Sequence, residues 1–493
     1  MRNNYPLYAG ILGIVLLCLL SRLPQLMSPY FHADYNGDEC VLGLMAKHMA
    51  QGKEFPFYFW GQAYGFCWIE AGAVAIAIKL CGISLFALKI PMLLLWTLGC
   101  VFFYLALSRW TSKFYGFWIS ALFILCPAWM GWSMRARGGY ITAFLLSSLV
   151  LFLLTRKKGD RPLFLFIGVL MGFIFFSSPV YLLGILPLMA HMMGKQKDLK
   201  GIPTCTAGFI GIFILGKIMA HLQSNTDFWN PVWFRPDPLK LYLATFTKRV
   251  FSVLVQDADN SRAGILVANA WGVMIITGLL TIRRRSIPFA IGTLLILACT
   301  YFVNCDDQWR YLLPLSLFLI LWFGVQSFEW IKTNAEMKIL ISLMIGAFII
   351  TGILISWNYK ETYRQGSASS GSMTEMQRIN TMIAHLKASG VKYVYSLDDD
   401  LSWKLIYFSN EKILSRWMSL KSRRPQYVKA VDRAFLNGQK VALVGNMLDE
   451  VLAYLIVESE GRPVLPADPY FVCLDPSQQL IFYKLRFQIK PNA

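Results

Sequence analysis

Three acidic side chains within six residues are the first feature of the sequence that could do chemistry. Asp34, Asp38 and Glu39 lie in the stretch 31–40, after the first apolar run. An ionised carboxylate beside a hydroxyl group can act as a general base. Asp38 could instead cap the helix predicted to follow it, and the two roles are compatible because a helix N-terminus favours an ionised carboxylate. His32 and Asp34 could hold a divalent cation, but the sequence demands no metal or other cofactor.

Arginines in two later segments could bind an anion. Arg135 and Arg137 lie close together between two apolar runs, and Arg310 directly precedes another. A guanidinium group binds phosphate through two parallel hydrogen bonds. Two other interpretations stay open for the first pair, namely snorkelling to lipid headgroups or pairing with loop carboxylates. Arg310 could likewise neutralise Asp306 or Asp307.

The composition of the chain predicts a membrane protein. Of its 493 residues, 56% are hydrophobic and 15% are charged, against roughly 25% charged in an average soluble domain. A soluble fold cannot bury that much apolar surface, so a soluble enzyme, a disordered chain and a collagen-like chain are excluded. The net charge of +19 is better explained by basic loops that orient the spans than by a nucleic-acid partner.

Apolar stretches of about 17–25 residues predict about 11 transmembrane helices. They lie near 7–26, 87–107, 114–132, 140–155, 162–177, 179–193, 203–221, 264–282, 287–303, 311–329 and 339–357. The apolar stretch 66–82 carries two charges, and all the basic loops share one side only if it does not span. We therefore expect it to lie at the interface, within a first outer loop over 27–85. The alternative is twelve spans with the N-terminus outside.

The C-terminal quarter has the pattern of a different domain. Residues 1–357 form the predicted transmembrane catalytic domain, 358–372 a linker, and 373–493 an extracytoplasmic α/β domain. Apolar spacing predicts helices over 373–388 and 425–436. The β-rich runs predict strands at 391–395, 440–444 and 479–487.

Four motifs in this order resemble those of a known group of membrane enzymes. They are Gly37-Asp38-Glu39, Phe59-Trp60-Gly61-Gln62-Ala63-Tyr64-Gly65, Arg135-Ala136-Arg137-Gly138-Gly139-Tyr140 and Arg310-Tyr311-Leu312-Leu313-Pro314-Leu315. The chain resembles bacterial glycosyltransferase family 39-like proteins over about residues 1 to 330. That group is related to dolichyl-phosphate-mannose–protein mannosyltransferases and to the lipid A aminoarabinose transferase, which share the GT-C membrane fold.

The resemblance implies transfer of a sugar from a polyprenyl-phosphate donor, with an acid of the first loop as base. Asp38 matches the first acid of the group's Asp-Glu pair and Glu39 the second, so the resemblance makes both candidate catalytic residues. The candidate substrate-binding residues are Asp34, Trp60, Gln62, Tyr64, Arg135, Arg137, Tyr140 and Arg310.

The chain also departs from this group at two places. Relatives often carry another acid where this chain has Gly138-Gly139, and the aminoarabinose transferase has a Lys-Pro pair near the position of Gly61-Gln62. Contacts to the lipid phosphate cannot be copied from it, so we assign them to Arg135, Arg137 and Arg310.

The expected protein is therefore an inverting glycosyltransferase of the bacterial inner membrane, acting on its periplasmic face. A carboxylate base without a covalent intermediate predicts inversion at the anomeric carbon. Its partners would be the lipid-linked donor, membrane lipid and a lipid, glycan or protein acceptor, with no nucleic acid. The alternative is a transporter or lipid-linked sugar flippase, since Glu70 and Lys217 lie within apolar stretches.

Overall fold

A computed structural model shows an apolar helical region followed by a mixed α/β region. The structure describes residues 5–27, 35–156, 160–196, 201–223, 282–302, 313–367, 375–418, 422–446, 464–467, 470–485 and 487. The helices of the first region are α1 (Tyr5–Leu26), α2 (Gly37–Ala50), α3 (Trp68–Cys81), α4 (Leu85–Trp110), α5 (Lys113–Ile124), α6 (Pro127–Trp132), α7 (Tyr140–Leu154), α8 (Arg161–Ser177), α9 (Val180–Gln196), α10 (Gly201–Leu222), α11 (Ile287–Phe302), α12 (Leu313–Thr333) and α13 (Ala335–Ser367). The predicted span 264–282 lies outside the described residues.

The helical region is that of a multi-pass membrane protein. In the part of the chain that the structure describes, five helices are long and apolar enough to cross a membrane: α1, α4, α10, α12 and the first part of α13. Five shorter apolar helices, α5, α7, α8, α9 and α11, accompany them. The 14 residues of α3 extend only about 21 Å, less than the roughly 30 Å of a hydrocarbon core. Helices α5 and α7, with 12 and 15 residues, are equally short, so the interfacial position of α3 and the count of eleven spans stay predictions.

The predicted span over 114–132 is not one continuous helix. The structure divides it into α5 and α6, and the break lies between Ile124 and Pro127. Proline has no N–H to donate, and it biases the preceding residue away from helical angles. Cys126 accordingly takes extended angles (φ −62°, ψ 125°).

The C-terminal region is a five-stranded mixed sheet with helices on both faces. Its elements are α14 (Glu375–Ala388), β1 (Tyr393–Ser396), α15 (Asp399–Phe408), β2 (Leu414–Trp417), α16 (Pro425–Leu436), β3 (Val441–Asn446), β4 (Val464–Ala467), β5 (Tyr470–Leu474) and a π-helix (Gln479–Lys484). The strand order is β2-β1-β3-β5-β4, with β1 parallel to β2 and β3 and antiparallel pairing elsewhere. The predicted α/β architecture is confirmed.

One predicted strand, 479–487, is wrong. The chain forms a π-helix there, and the sheet is completed earlier in the chain by β4 and β5, with β4 at the edge. Ser477 accepts a hydrogen bond from the backbone N–H of Leu480 and so starts the helical turn. Leu480 and Ile481 are both fully buried, so the run buries adjacent side chains rather than alternate ones. Short apolar runs of this kind do not distinguish strand from helix. The helix α13 also continues to Ser367, into the segment predicted as a linker.

The α/β region packs directly against the loop region between α1 and α4. Helix α15 lies against α2, and three glycines allow the close approach. A Cβ at Gly37 would lie 2.8 Å from Asp400 Oδ1, one at Gly43 would lie 2.4 Å from the Tyr407 ring, and one at Gly61 would lie 2.8 Å from the Cα of Arg423. Two of these glycines belong to the sequence motifs described above, so part of those motifs serves domain docking.

We predict that Gly61→Ala loosens this docking more than Gly52→Ala does. Both glycines have left-handed angles (φ +71° and +68°), so each substitution incurs about 1–2 kcal/mol of backbone strain. Only Gly61 faces a neighbour, since nothing lies within 4 Å of a Cβ at Gly52. Hydrogen exchange across α16 should therefore rise in the Gly61 variant alone. Equal exchange in both variants would contradict the docking role.

Candidate active site

The site is built around the first turn of α2. Asn36 caps the helix, and its side chain accepts a hydrogen bond from the Glu39 N–H at 3.1 Å. Asp400 of the α/β region accepts from the Gly37 N–H at 2.9 Å. Other residues therefore accept from these N–H groups of α2. The side chain of Asp38 is not the helix cap, which was one of the two roles suggested by the sequence, and it has other partners.

Asp38 is held by two guanidinium groups from distant parts of the chain. Arg137 Nε donates to Asp38 Oδ2 at 2.7 Å, and Arg423 Nη2 donates to Oδ1 at 2.6 Å. The three side chains keep 20%, 24% and 26% of their surface exposed. Asp38 therefore lies where a substrate can reach it, within hydrogen-bond distance of two cations.

Glu39 lies beside Asp38 in sequence but in a different environment. It is fully buried, and Lys89 on α4 donates to its two oxygens at 2.9 and 3.1 Å. Its Oε1 also accepts from the backbone N–H of Ala136 at 3.2 Å. Glu39 thus joins α2, α4 and the loop 133–139, which carries Arg137.

Two more buried charges fix the same loop. Arg22 on α1 donates to the Ser133 hydroxyl at 2.7 Å and to the carbonyls of Ile124 and Trp129 at 2.9 and 3.2 Å. At the other end, Glu70 on α3 accepts from the N–H groups of Gly139 and Thr142 at 3.1 and 2.9 Å.

Gly139 caps α7 without a side chain, so the carboxylate of Glu70 satisfies the helix N-terminus instead. A Cβ at Gly139 would lie 2.6 Å from the carbonyl oxygen of Phe66, so the glycine also permits the approach of the segment before α3. The loop that presents Arg137 is therefore tied down at its start, middle and end by Arg22, Glu39 and Glu70.

The other predicted residues of this loop gather around one indole. The rings of Trp132 and Tyr140 are 5.0 Å apart, edge to face. The guanidinium carbons of Arg135 and Arg137 lie 5.6 and 5.9 Å from the Trp132 ring. Trp132 thereby groups Arg135, Arg137 and Tyr140 near Asp38.

The first-loop motif residues take two different positions. Trp60 is buried at the domain contact, with the Arg424 guanidinium 4.4 Å above its ring and the His48 ring 5.2 Å away. Gln62 and Tyr64 are half-buried, in a tight loop closed by a hydrogen bond from the Phe59 N–H to the Gly65 carbonyl at 3.1 Å. Asp34 and Arg310 lie outside the described residues, as do His32, Asp306 and Asp307. Within those described ranges, no group of three or more His, Cys, Asp or Glu side chains could hold a metal ion.

Arg423 is the site residue that sequence reasoning missed. The only signal was its position, since Arg423 and Arg424 directly precede the N-terminus of α16. Cations are unfavourable at that end of a helix dipole, so two adjacent arginines there need nearby anions. Arg424 donates to Glu54 at 2.9 Å, and Arg423 binds Asp38. Both anions belong to the first loop.

A second charge cluster, near the site, holds the two regions together. His48 contacts Glu54 through Nδ1 at 3.1 Å and Glu411 through Nε2 at 3.0 Å. Glu411 also binds Lys47 and accepts from the Tyr427 hydroxyl at 2.5 Å. Burial lowers the pKa of His48, but the hydrogen bonds of the two carboxylates outweigh it, so the net pKa lies above the ordinary value. Burial raises the pKa of Glu411, but the bonds from His48, Lys47 and Tyr427 reverse this and hold it well below its usual range.

Comparisons with solved structures show that the chain shares the fold of known GT-C proteins. ArnT from Cupriavidus metallidurans, bound to undecaprenyl phosphate, superimposes with a TM-score of 0.63 at 12% identity, over 97% of this chain and 99% of that chain. The Archaeoglobus fulgidus oligosaccharyltransferase superimposes with a TM-score of 0.52 at 14% identity, over 92% of this chain and 70% of that chain. No family model and no curated protein matches the sequence. The GT-C fold expected from the motifs is confirmed.

Docking of the two regions is predicted to depend on pH through His48, which lies on α2, outside the candidate spans. Because its folded pKa is raised, its contribution is complete below about pH 6.5 and is lost as the pH rises through that pKa. The depressed pKa of Glu411 gives the opposite sign, with loss only in acid. Exchange protection of α15, corrected for intrinsic rates, should fall between pH 6 and pH 8.5. His48→Gln should remove that fall, and an unchanged fall would contradict the assignment.

Proposed function

We propose that the protein is an inverting glycosyltransferase that moves a sugar from a polyprenyl-phosphate donor to an acceptor hydroxyl. The observation that carries the proposal is the partly exposed Asp38 carboxylate, bound by two guanidinium groups at one end of a membrane-spanning helical region. A proton acceptor and anion-binding cations are the two groups that this transfer needs at the same place. The likeness to ArnT bound to undecaprenyl phosphate supports the choice of donor.

In the reaction, Asp38 takes the proton of the acceptor hydroxyl as its oxygen attacks the anomeric carbon. The bond from the anomeric carbon to the phosphate oxygen breaks on the opposite face, and polyprenyl phosphate leaves with the bond's electron pair. A single displacement with one base inverts the anomeric configuration. A carboxylate has about four acceptor positions, and the Asp38 side chain keeps 20% of its surface exposed, which supports its role as the proton acceptor.

The leaving phosphate gains charge as the bond breaks, and cations stabilise that charge. Arg137 is the first candidate because its Nε is 2.7 Å from Asp38. An anion bound by Arg137 would therefore lie beside Asp38, with only the guanidinium group between them. Arg135 shares the loop and the Trp132 contact with Arg137. We keep Arg310 as a third candidate from its sequence motif.

The fully buried contacts of Glu39 favour a positioning role over a direct catalytic one. Its carboxylate binds Lys89 and the loop of Arg137, so it orients the neighbouring acid and the cation together. The alternative of a transporter was suggested by Glu70 among apolar residues, but its bonds to Gly139 and Thr142 explain that carboxylate as a helix cap.

We assign the site to the extracytoplasmic face of a bacterial inner membrane. Lys89 lies at the Asp38 end of α4, while Arg285 donates to the carbonyl of Trp110 at the other end at 2.9 Å. The 21 residue steps from Lys89 to Trp110 span about 32 Å of helix, enough to cross a hydrocarbon core. Arg285 belongs to the basic cluster 283–285, and such clusters favour the cytoplasmic side. This leaves Asp38 and the α/β domain outside.

Sidedness can be measured with Lys53→Cys and Arg284→Cys, both made in a Cys81→Ser background because Cys81 is an exposed thiol. Lys53 and Arg284 are exposed. A membrane-impermeant maleimide should label position 53 on intact spheroplasts, whose inner membrane exposes its periplasmic face. It should label position 284 only after permeabilisation. The reverse pattern would overturn the assignment of the active site to the outer face.

Asp38→Asn should reduce sugar transfer by about 10²–10⁴-fold, the usual contribution of a general base. The measurement is release of undecaprenyl phosphate from a labelled undecaprenyl-phosphate sugar by the purified protein. Asp400→Asn is the matched control, because an Asn side chain can still accept from the Gly37 N–H. Near-normal transfer by Asp38→Asn would exclude Asp38 as base, and movement of the intact lipid without cleavage would favour the flippase instead.

A further inference from the structure

Arg423 brings a cation from the α/β domain into the transmembrane site. Its guanidinium binds Asp38 and lies 4.7 Å above the Phe59 ring. Both partners belong to the first loop, and neither belongs to the domain that carries Arg423. Arg423 of the α/β domain and Arg137 of the helical region therefore each donate to one oxygen of the Asp38 carboxylate.

Other contacts between the two regions also hold the segment that carries Arg423. Glu411 binds Lys47 and His48, and Arg424 binds Glu54. The backbone of Arg423 is also packed against Gly61. The guanidinium of Arg423 is therefore presented by a contact surface that other residues maintain, and it is available for a second partner.

We propose that Arg423 is a ligand of the donor's phosphate, and that phosphate and Asp38 compete for Arg137 and Arg423. This rests on the proposed function and goes beyond it, because it makes the α/β domain part of the donor site. A phosphate matches the guanidinium fork at least as well as a carboxylate does. When the phosphate takes the two cations, the Asp38 carboxylate gives up these two contacts as it accepts the hydroxyl proton.

The competition has a consequence that a structural role for Arg423 does not share. If Asp38 occupies the cations, removing its charge should strengthen the binding of a lipid phosphate. Asp38→Asn, which is inactive as a base, should therefore bind undecaprenyl phosphate several-fold more tightly than the unaltered protein.

The test is titration of the full-length protein in nanodiscs with undecaprenyl phosphate. Arg423→Ala should weaken binding about 10–100-fold, as expected for a lost hydrogen bond between two charged groups. Arg433→Ala is the matched control, since Arg433 is an exposed arginine on α16 of the same domain, and it should bind normally. The loss from Arg423→Ala should persist in the Asp38→Asn background, where an effect acting only through Asp38 would vanish.

The outcomes separate this inference from the proposed function. Binding by the unaltered protein with normal binding by Arg423→Ala would overturn the inference alone, as would a loss that disappears in the Asp38→Asn background. No binding by the unaltered protein would overturn the proposed function and this inference with it. If hydrogen exchange shows that Arg423→Ala releases the domain, Arg423→Lys replaces it as the test variant. Lysine keeps the positive charge beside Asp38 but lacks the planar guanidinium group. Weaker binding by the docked lysine variant supports the inference, and normal binding overturns it.

Discussion

The contact of one carboxylate, Asp38, with two guanidinium groups is the interaction on which the proposed chemistry depends. Its members come from three distant positions, 38, 137 and 423, so it exists only if three segments are aligned to within a few tenths of an ångström. Partly exposed ion pairs contribute about 0–1 kcal/mol each. That is too little to align two domains, so the alignment must come from interactions elsewhere.

Buried charges supply this alignment for Arg137. Glu39 and Lys89 are almost completely buried, and removing one partner of such a pair typically costs about 3–5 kcal/mol because the other charge is left unpaired in a low dielectric. The pair therefore tolerates little displacement of α2 relative to α4. Arg22 and Glu70 hold the two ends of the loop through hydrogen bonds to its backbone and to the Ser133 hydroxyl.

The sequence identified residues that meet at the site better than it identified the contacts that hold them in place. The acidic residues after the first span indicated Asp38, and the two arginines between two later apolar runs indicated Arg137. Pairing of Arg137 with a loop carboxylate was one of the interpretations left open. Arg423 was not predicted, because its partner lies 385 residues away and no local pattern encodes that contact. The same reason hid the capping role of Glu70, whose partners Gly139 and Thr142 lie about 70 residues away.

Local structure was predictable where a single physical term dominates. Apolar length indicated most spans, and amphipathic spacing indicated α14 and α16. The errors fell where two terms compete: at Pro127, where a missing N–H overrides apolar continuity, and at 479–487, where adjacent buried side chains override strand-forming composition. Each error concerns one or two residues whose backbone or burial departs from the surrounding pattern.

The arrangement explains why a transmembrane site should be joined to an α/β domain at all. The first loop carries the proposed base and is made of short segments, so its position must be fixed from both sides. Lys89 and the loop 133–139 fix it from the helical region, and Asp400, Glu411 and Arg424 fix it from the α/β domain. Because Arg423 is attached to that second set of contacts, any change that separates the domain also removes a cation from Asp38. Domain docking and the electrostatic environment of Asp38 are therefore linked, so a change that shifts one also shifts the other. The glycines at 37, 43 and 61 allow the close approach on which this docking depends.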